Sequence, residues 1–406
     1  VYRIADWIKE GGFTSVKIMS HGWNNTPSHA RELYHDWFEL LDPSRDPNSD
    51  SKPLRLGVSW PSVVDRETWE DYLRKGDVDT TTSTSNAVGS AEHCSSASSH
   101  EESGAPVSEA WIREVVSLLA LPKDAEVAAA ALRADDYETA LQLFVSSGAF
   151  SPEVQGGELS ADQESTIADI QAWLKKDKQQ QHDFLAFHAM RKRSADVAQG
   201  KGFQDMLASI VGCNVPVDLL GHSLGSRICL HALEIARRQQ VLHAGRQARS
   251  LVLMQPAVSR WCMSIEMPHA PTKPGLYRQV PDLVRKPVVV FYSEKDKVLR
   301  NIYPFSKASP ETDLTAIKSA DDEDPSLSLY AALGAYGPDM NDKRPPGFLH
   351  RVLIDTAAQE LDRPLLHILG VEGDWGHGFH GDPFLLNFKG WCIESVTKLV
   401  ALLERD

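Results

Sequence analysis

Val215-Pro216-Val217-Asp218-Leu219-Leu220-Gly221-His222-Ser223-Leu224-Gly225 is the stretch on which the reading of the fold turns. Its short apolar run has the pattern of a buried strand, and it stops at Gly-x-Ser-x-Gly. Behind it, residues 226–238 place Cys229, Ala232, Leu233 and Ala236 at helical spacing. Strand, sharp turn and helix in that order predict one unit of an α/β fold.

The residue types of the turn have a chemical logic. A serine hydroxyl is a weak nucleophile until it stands exposed at a tight turn beside a base that takes its proton. Such a turn drives Ser223 toward strained backbone angles, and side chains two residues to either side would strike the neighbouring strand and helix. Gly221 and Gly225 remove those side chains. The helix that begins behind Ser223 points free N–H groups toward it, as stabilisation of an oxyanion requires. Ser223 is therefore the candidate nucleophile.

Outward from this unit, Ser15 to Ser20 reads as a strand running into His21-Gly22-Trp23-Asn24-Asn25. Asn25 or Thr26 is placed to cap the next helix, with Pro27 in its first turn and Leu33, Trp37 and Leu40 or Leu41 facing inward. A second strand, Leu54 to Trp60, leads into Pro61-Ser62. Strand, helix, strand at these lengths predicts a right-handed parallel pair. After Ser223 the alternation continues with strands at 250–254 and 288–292 and a last one at 351–354. Runs such as Val288-Val289-Val290 suit strands covered on both faces. Trp391 to Leu403 reads as a closing helix.

Residues 65–184 interrupt this pattern. Residues 79–106 are rich in Ser and Thr and predict a flexible connector. Residues 107–184 predict a helical cap, with short helices at 111–119, 125–132 and 137–144 whose spacing loosely resembles a ubiquitin-associated-type three-helix module. Residues 161–211 read as continuing helix, with Arg191-Lys192-Arg193 on a solvated face. The expected core is thus 1–64 with 185–406, and the insertion 65–184.

The other chemical groups are sought on loops after later strands. For the acid, Asp296 lies four residues past the strand ending at Tyr292, with Glu294 and Asp355 as competitors. Its work would be to hold an imidazole in the right tautomer and stabilise the imidazolium. For the base, Gly376-His377-Gly378-Phe379-His380-Gly381-Asp382 offers His377, with His380 as the alternative. Two histidines beside an aspartate also suit a metal, but the glycines predict a loop and no third ligand cluster accompanies them, so no metal is expected. His367, within an apolar run, is expected in the core. Two backbone amides would bind an oxyanion, those of Leu224 and Trp23, with Gly22 allowing close approach and His21 bracing the loop.

Composition narrows the partners. The 406-residue chain has 42 Lys and Arg against 56 Asp and Glu, and its net charge of −14 disfavours nucleic acid or an anionic membrane surface. The five cysteines show neither paired spacing nor a zinc pattern. Cys213, Cys229 and Cys392 are expected as inert apolar residues, and a reducing, cytoplasmic setting is favoured. No apolar run reaches membrane-spanning length, and no signal-peptide pattern opens the sequence.

Taken together, His21-Gly22-Trp23-Asn24, Trp60-Pro61-Ser62 and Gly221-His222-Ser223-Leu224-Gly225 resemble motifs of the α/β-hydrolase superfamily, in a group of serine hydrolases of mostly unassigned function. The likeness covers about residues 10–64 and 185–405. It implies an α/β-hydrolase fold, a mostly parallel sheet with helices on both faces and a helical cap or lid. It also implies a Ser-His-Asp triad cleaving a small-molecule or lipid ester without a cofactor, and supports Gly376-His377 as the base loop. Amide or thioester cleavage would use the same groups. A partner-binding protein on the same fold is the alternative from another class.

Overall fold

The computed structural model describes residues 2–23, 25–40, 52–62, 108–149, 178–266, 274–296, 299–300, 331–339, 345–373 and 391–403. In chain order these form α1 (Tyr2–Glu10), β1 (Ser15–Ser20), α2 (Pro27–Leu40), β2 (Pro53–Val58), α3 (Glu109–Leu119), α4 (Ala125–Arg133) and α5 (Tyr137–Ser146). Then follow α6 (Lys178–Gln199), α7 (Lys201–Gly212), β3 (Val217–His222), α8 (Leu224–Arg238), β4 (Ser250–Met254), β5 (Val288–Tyr292) and the short α9 (Leu333–Tyr336). The chain closes with β6 (Leu349–Leu353), α10 (Ile354–Glu360), β7 (Ile368–Glu372) and α11 (Trp391–Leu403).

All seven strands run parallel in one sheet, ordered β2-β1-β3-β4-β5-β7-β6. Alternation along each strand sends neighbouring side chains to opposite faces. Val16, Ile18, Leu219, Leu251, Leu253, Val288 and Val290 join one apolar cluster, which also holds Ile4 and Ile8 of α1 and Ile228 and Leu233 of α8. Met19, Leu220, Val252, Met254, Val289 and Phe291 join another, with Trp37 of α2, Ala357 of α10 and Leu399 of α11. Helices therefore cover both faces, and the central strands are buried along their whole length.

Four sequence expectations change here. Residues 351–354 are not the last strand, because β7 follows and lies between β5 and the edge strand β6. His367 is only half-buried and sits just ahead of β7, stacked on Phe348 with ring centroids 4.2 Å apart. The inward face of α2 is carried by Ala30, Tyr34 and Trp37, with Leu33 only partly buried. Tyr34 fits because β2 offers Gly57 opposite it, where a Cβ would stand 2.4 Å from the Tyr34 ring. Finally, Arg191 and Arg193 are buried, so that face of α6 is not solvated.

The helix expected over 161–211 is described from Lys178 and breaks at Gly200, which caps α7; the 184/185 boundary falls within α6. Helices α3–α5 match the three short helices expected, and Trp111, Leu132 and Phe144 lie in the same apolar cluster as strand residues Val16 and Leu219. The connector 79–106 lies outside the described residues, as do His377 and His380. Cys229 is buried, and burial pushes its thiol up to about 12. Cys213 is only partly buried, with its thiol donating to the Ser209 carbonyl, and the side chain of Cys392 lies outside the described set. Among the described residues no helix is long and apolar enough to cross a membrane.

Candidate active site

Ser223 stands between β3 and α8 at φ 53° and ψ −124°, outside the regions open to most L-residues. A conformation of this kind costs about 1–3 kcal/mol and persists only where its surroundings impose it. Here the Ser223 N–H donates to the Met254 carbonyl at 3.0 Å, while the Ser223 carbonyl accepts from Ser226 at 3.1 Å and Ala257 at 3.2 Å. The glycines answer the crowding. A Cβ on Gly221 would lie 2.5 Å from Ser226 Cα, and one on Gly225 would lie 2.2 Å from the Ser20 carbonyl oxygen.

The loop after β1 closes over the serine from the other side. A Cβ on Gly22 would come within 2.7 Å of Ser223 Cβ, so only glycine admits this approach. His21 anchors the loop. Its N–H donates to the Tyr34 hydroxyl at 2.9 Å, and that hydroxyl donates to the Val58 carbonyl at 2.7 Å. The His21 ring stacks on Trp60 at 5.4 Å, and Trp60 Nε1 donates to the His21 carbonyl at 3.0 Å. The Trp60 amide faces His21 Nε2 at 3.4 Å, and His21 Nδ1 lies 2.9 Å from the Gly22 carbonyl. Only the tautomer with its proton on Nδ1 satisfies both contacts. Burial lowers His21 to about 4 against the raising effect of the Gly22 carbonyl, so at neutral pH it is an uncharged brace.

Two amides next to Ser223 are left over. Neither the Leu224 nor the Trp23 N–H donates to another described residue. Leu224 opens α8, where first-turn amides have no intrahelical acceptor. The Trp23 amide belongs to a peptide whose carbonyl, that of Gly22, is turned toward His21 Nδ1 and also accepts from Asn25 Nδ2 at 3.1 Å. In a trans peptide the N–H points the opposite way.

Asp296 follows β5 and is 1% exposed, whereas its competitor Glu294 is exposed. Asp296 Oδ1 accepts from the Leu299 amide at 2.9 Å, and Oδ2 from Gln255 Nε2 at 2.8 Å. The Asp355 side chain lies outside the described residues. Strand register aligns these groups: His222 pairs with Met254, and Met254 with Phe291, so Ser223, Gln255 and Tyr292 follow one another across the sheet rim. Gln255 is fully buried at φ 41°, pinned by its amide bond to the Phe291 carbonyl at 2.9 Å. Gly334 fixes it further, because a Cβ there would lie 2.4 Å from the Gln255 carbonyl carbon. Nothing local in Met254-Gln255-Pro256 marks Gln255; only the pairing of β3 with β4 places it beside the serine.

β7 adds a positional fact. It pairs with β5 and ends at Glu372, and the Gly373 amide bonds the Tyr292 carbonyl at 3.2 Å. The chain thus leaves the sheet on the same rim, four positions before His377. Glu372 and Arg351 both bond the Tyr292 hydroxyl, at 3.0 and 2.9 Å, which ties the three strands together there. Trp23 packs edge-on against Phe187 of α6 at 5.9 Å, while Trp60 is 1% exposed and lines no open surface. No group of three or more potential metal ligands occurs among the described residues.

The site is therefore a strained serine with two neighbouring amides that lack an acceptor among the described residues, and a buried carboxylate two strands away. Compared with protein-family models, with curated proteins and with solved structures, the chain matches none.

Proposed function

We propose that the chain is a serine hydrolase on an α/β-hydrolase fold that cleaves a carboxylic ester through an acyl-enzyme. The observation that carries this reading is Ser223 held at φ 53° with the Gly22 backbone pressed against it. A strained, glycine-flanked serine at a strand-to-helix turn is what an exposed nucleophile needs, and the surrounding fold has no structural use for it. Ser223 Oγ attacks the ester carbonyl carbon as His377 takes its proton, with His380 the alternative base. The Leu224 and Trp23 amides receive the oxyanion. Collapse of the tetrahedral species breaks the C–O bond, and the imidazolium returns the proton to the departing alcohol. Water, deprotonated by the same histidine, then attacks the acyl-enzyme and releases the acid and Ser223. Asp296 orients the imidazole through this cycle, its own position held by Gln255 and the Leu299 amide.

The contact of Trp23 with Phe187 supports an apolar acyl site bordered by α6, and so a lipid or other hydrophobic ester. Fluorophosphonate labelling tests the reading: wild-type protein should react and Ser223→Ala should not. An unlabelled wild type would favour the second reading, a partner-binding protein on the same fold, which the packing of α3–α5 into the main apolar cluster leaves open. Paired His377→Ala and His380→Ala variants assign the base. Comparing p-nitrophenyl acyl esters with matched anilides separates esterase from amidase.

A further inference from the structure

The loop that carries Gly22 and Trp23 is held from outside the sheet. Ser62 is fully buried; its Oγ donates to the Asn25 carbonyl and accepts from the Asn25 N–H, both at 3.0 Å. Asn25 Nδ2 donates to the carbonyls of Gly22 at 3.1 Å and Trp23 at 3.2 Å. One residue back, the Pro61 carbonyl accepts from Arg193 Nη1 of α6 at 2.8 Å. Arg193 in turn forms an ion pair with Glu114 of α3, both side chains buried. An unbroken series thus runs from α3, through α6 and the segment after β2, to the peptide that joins Gly22 and Trp23.

We infer that Glu114, Arg193 and Ser62 are positioning residues that set the plane of the Gly22–Trp23 peptide, and that α3–α5 act as a fixed buttress for the oxyanion loop rather than as a lid. This rests on the reading of the Trp23 amide as an oxyanion donor. The physical reason is that a peptide plane has one soft rotation, and the direction of its N–H follows from where its carbonyl is held. Asn25 Nδ2 and His21 Nδ1 both hold the Gly22 carbonyl. Asn25 is aimed by Ser62, and the segment bearing Ser62 is tied down through Pro61 by Arg193. Glu114 helps Arg193 hold that direction, since removing a carboxylate from beside a buried guanidinium draws it toward water or another acceptor.

The test reads the loop in two ways, in the full chain: hydrogen–deuterium exchange of the segment 21–26, and the rate of Ser223 labelling by a fluorophosphonate. Glu114→Gln and Ser62→Ala should each speed exchange in 21–26 several-fold while leaving β3 and β4 protected. Each should slow labelling by roughly ten- to a hundredfold, the range expected of a displacement of about 1 Å at a catalytic group. Ser62→Thr, which keeps the hydroxyl, should restore both. The double variant should be no slower than the worse single one, because both break the same series. If Glu114→Gln does not fold, Arg193→Lys, which keeps a buried positive charge beside Glu114 but loses the planar fork that also reaches the Pro61 carbonyl, should give the same loss. Unchanged exchange and labelling in a folded Glu114 or Arg193 variant would overturn the inference. An unlabelled wild type whose loop exchange still responds to Glu114 would instead sink the hydrolase reading and leave the coupling standing.

Discussion

Strands β3 and β4 carry buried polar groups at both ends, and the two ends are built on different terms. At the N-terminal end Asp218 takes a two-pronged contact from Arg249, at 2.9 and 2.5 Å, and a third bond from Ser250 at 2.6 Å. Charge, partner and geometry close on themselves there, with relaxed backbone. At the C-terminal end Ser223 and Gln255 both sit at positive φ, and two amides beside the serine have no acceptor among the described residues. A closed cluster fixes the strands; an open one waits for something to bind. The same sheet pairing supports both, and the chemistry we propose is placed on the C-terminal rim.

The comparison is sharpest if each end is cut separately. Ser223→Ala should lower ester turnover by about ten-thousandfold or more, as loss of a nucleophile does, with little change in thermal midpoint. Asp218→Ala should do the reverse. Removing the carboxylate that Arg249 bonds at two points costs about 3–5 kcal/mol in urea denaturation, while the labelling rate of the folded protein changes less than about twofold. Equal damage to turnover from both variants would erase the distinction.

Acidification probes the open end next. His21 is protonated only near 4 in the folded chain but near its ordinary 6.5 when unfolded. Between those values the unfolded state holds more protons, so stability rises with pH there. It should be fully present above about 6.5 and fall by about 3 kcal/mol as pH drops toward 4. His21→Gln should flatten that slope in denaturant titrations across pH 4–7 as an order-of-magnitude effect. Gln255→Leu, which removes the bond from Gln255 Nε2 to Asp296 Oδ2, should lower kcat about tenfold with KM little changed, at the low end for a hydrogen bond to a charged group. The smallest effect is a gain. Ser223→Gly should abolish activity yet stabilise the fold by about 1 kcal/mol, the strain relieved less the added chain entropy, seen as a raised thermal midpoint.

What could be read from the sequence was what is local. The elbow was legible because the strand, both glycines, the serine and the helix lie within residues 215–238, even though Gly225 makes room for the distant Ser20 carbonyl. β7 was missed because Leu365 to Glu372 is a short apolar run with a glycine inside, which periodicity does not assign to strand or helix. Gly370 is explained by Pro338, whose ring would lie 2.8 Å from a Cβ there. Arg193 looked like a surface charge because its partners, Glu114 and the Pro61 carbonyl, are far away along the chain. Gln255 carries no local signature, since its place is defined by strands that meet only in three dimensions; Asn25 was read as a cap candidate, but its tie to Ser62 is likewise long-range. Asp296 could be singled out because it follows a strand that could be recognised; Gln255, which bonds its carboxylate, could not.

The place of β7 has a consequence for how the molecule is made. Of the described strands, the last in sequence is interior, and the one before it sits at the edge. While the chain is still emerging, Val288–Tyr292 therefore presents an unpaired border of five consecutive apolar or aromatic residues. Such a border invites pairing with another nascent copy. Chains truncated before Ile368 should accordingly clump rather than wait, because β7 is the strand that covers this border.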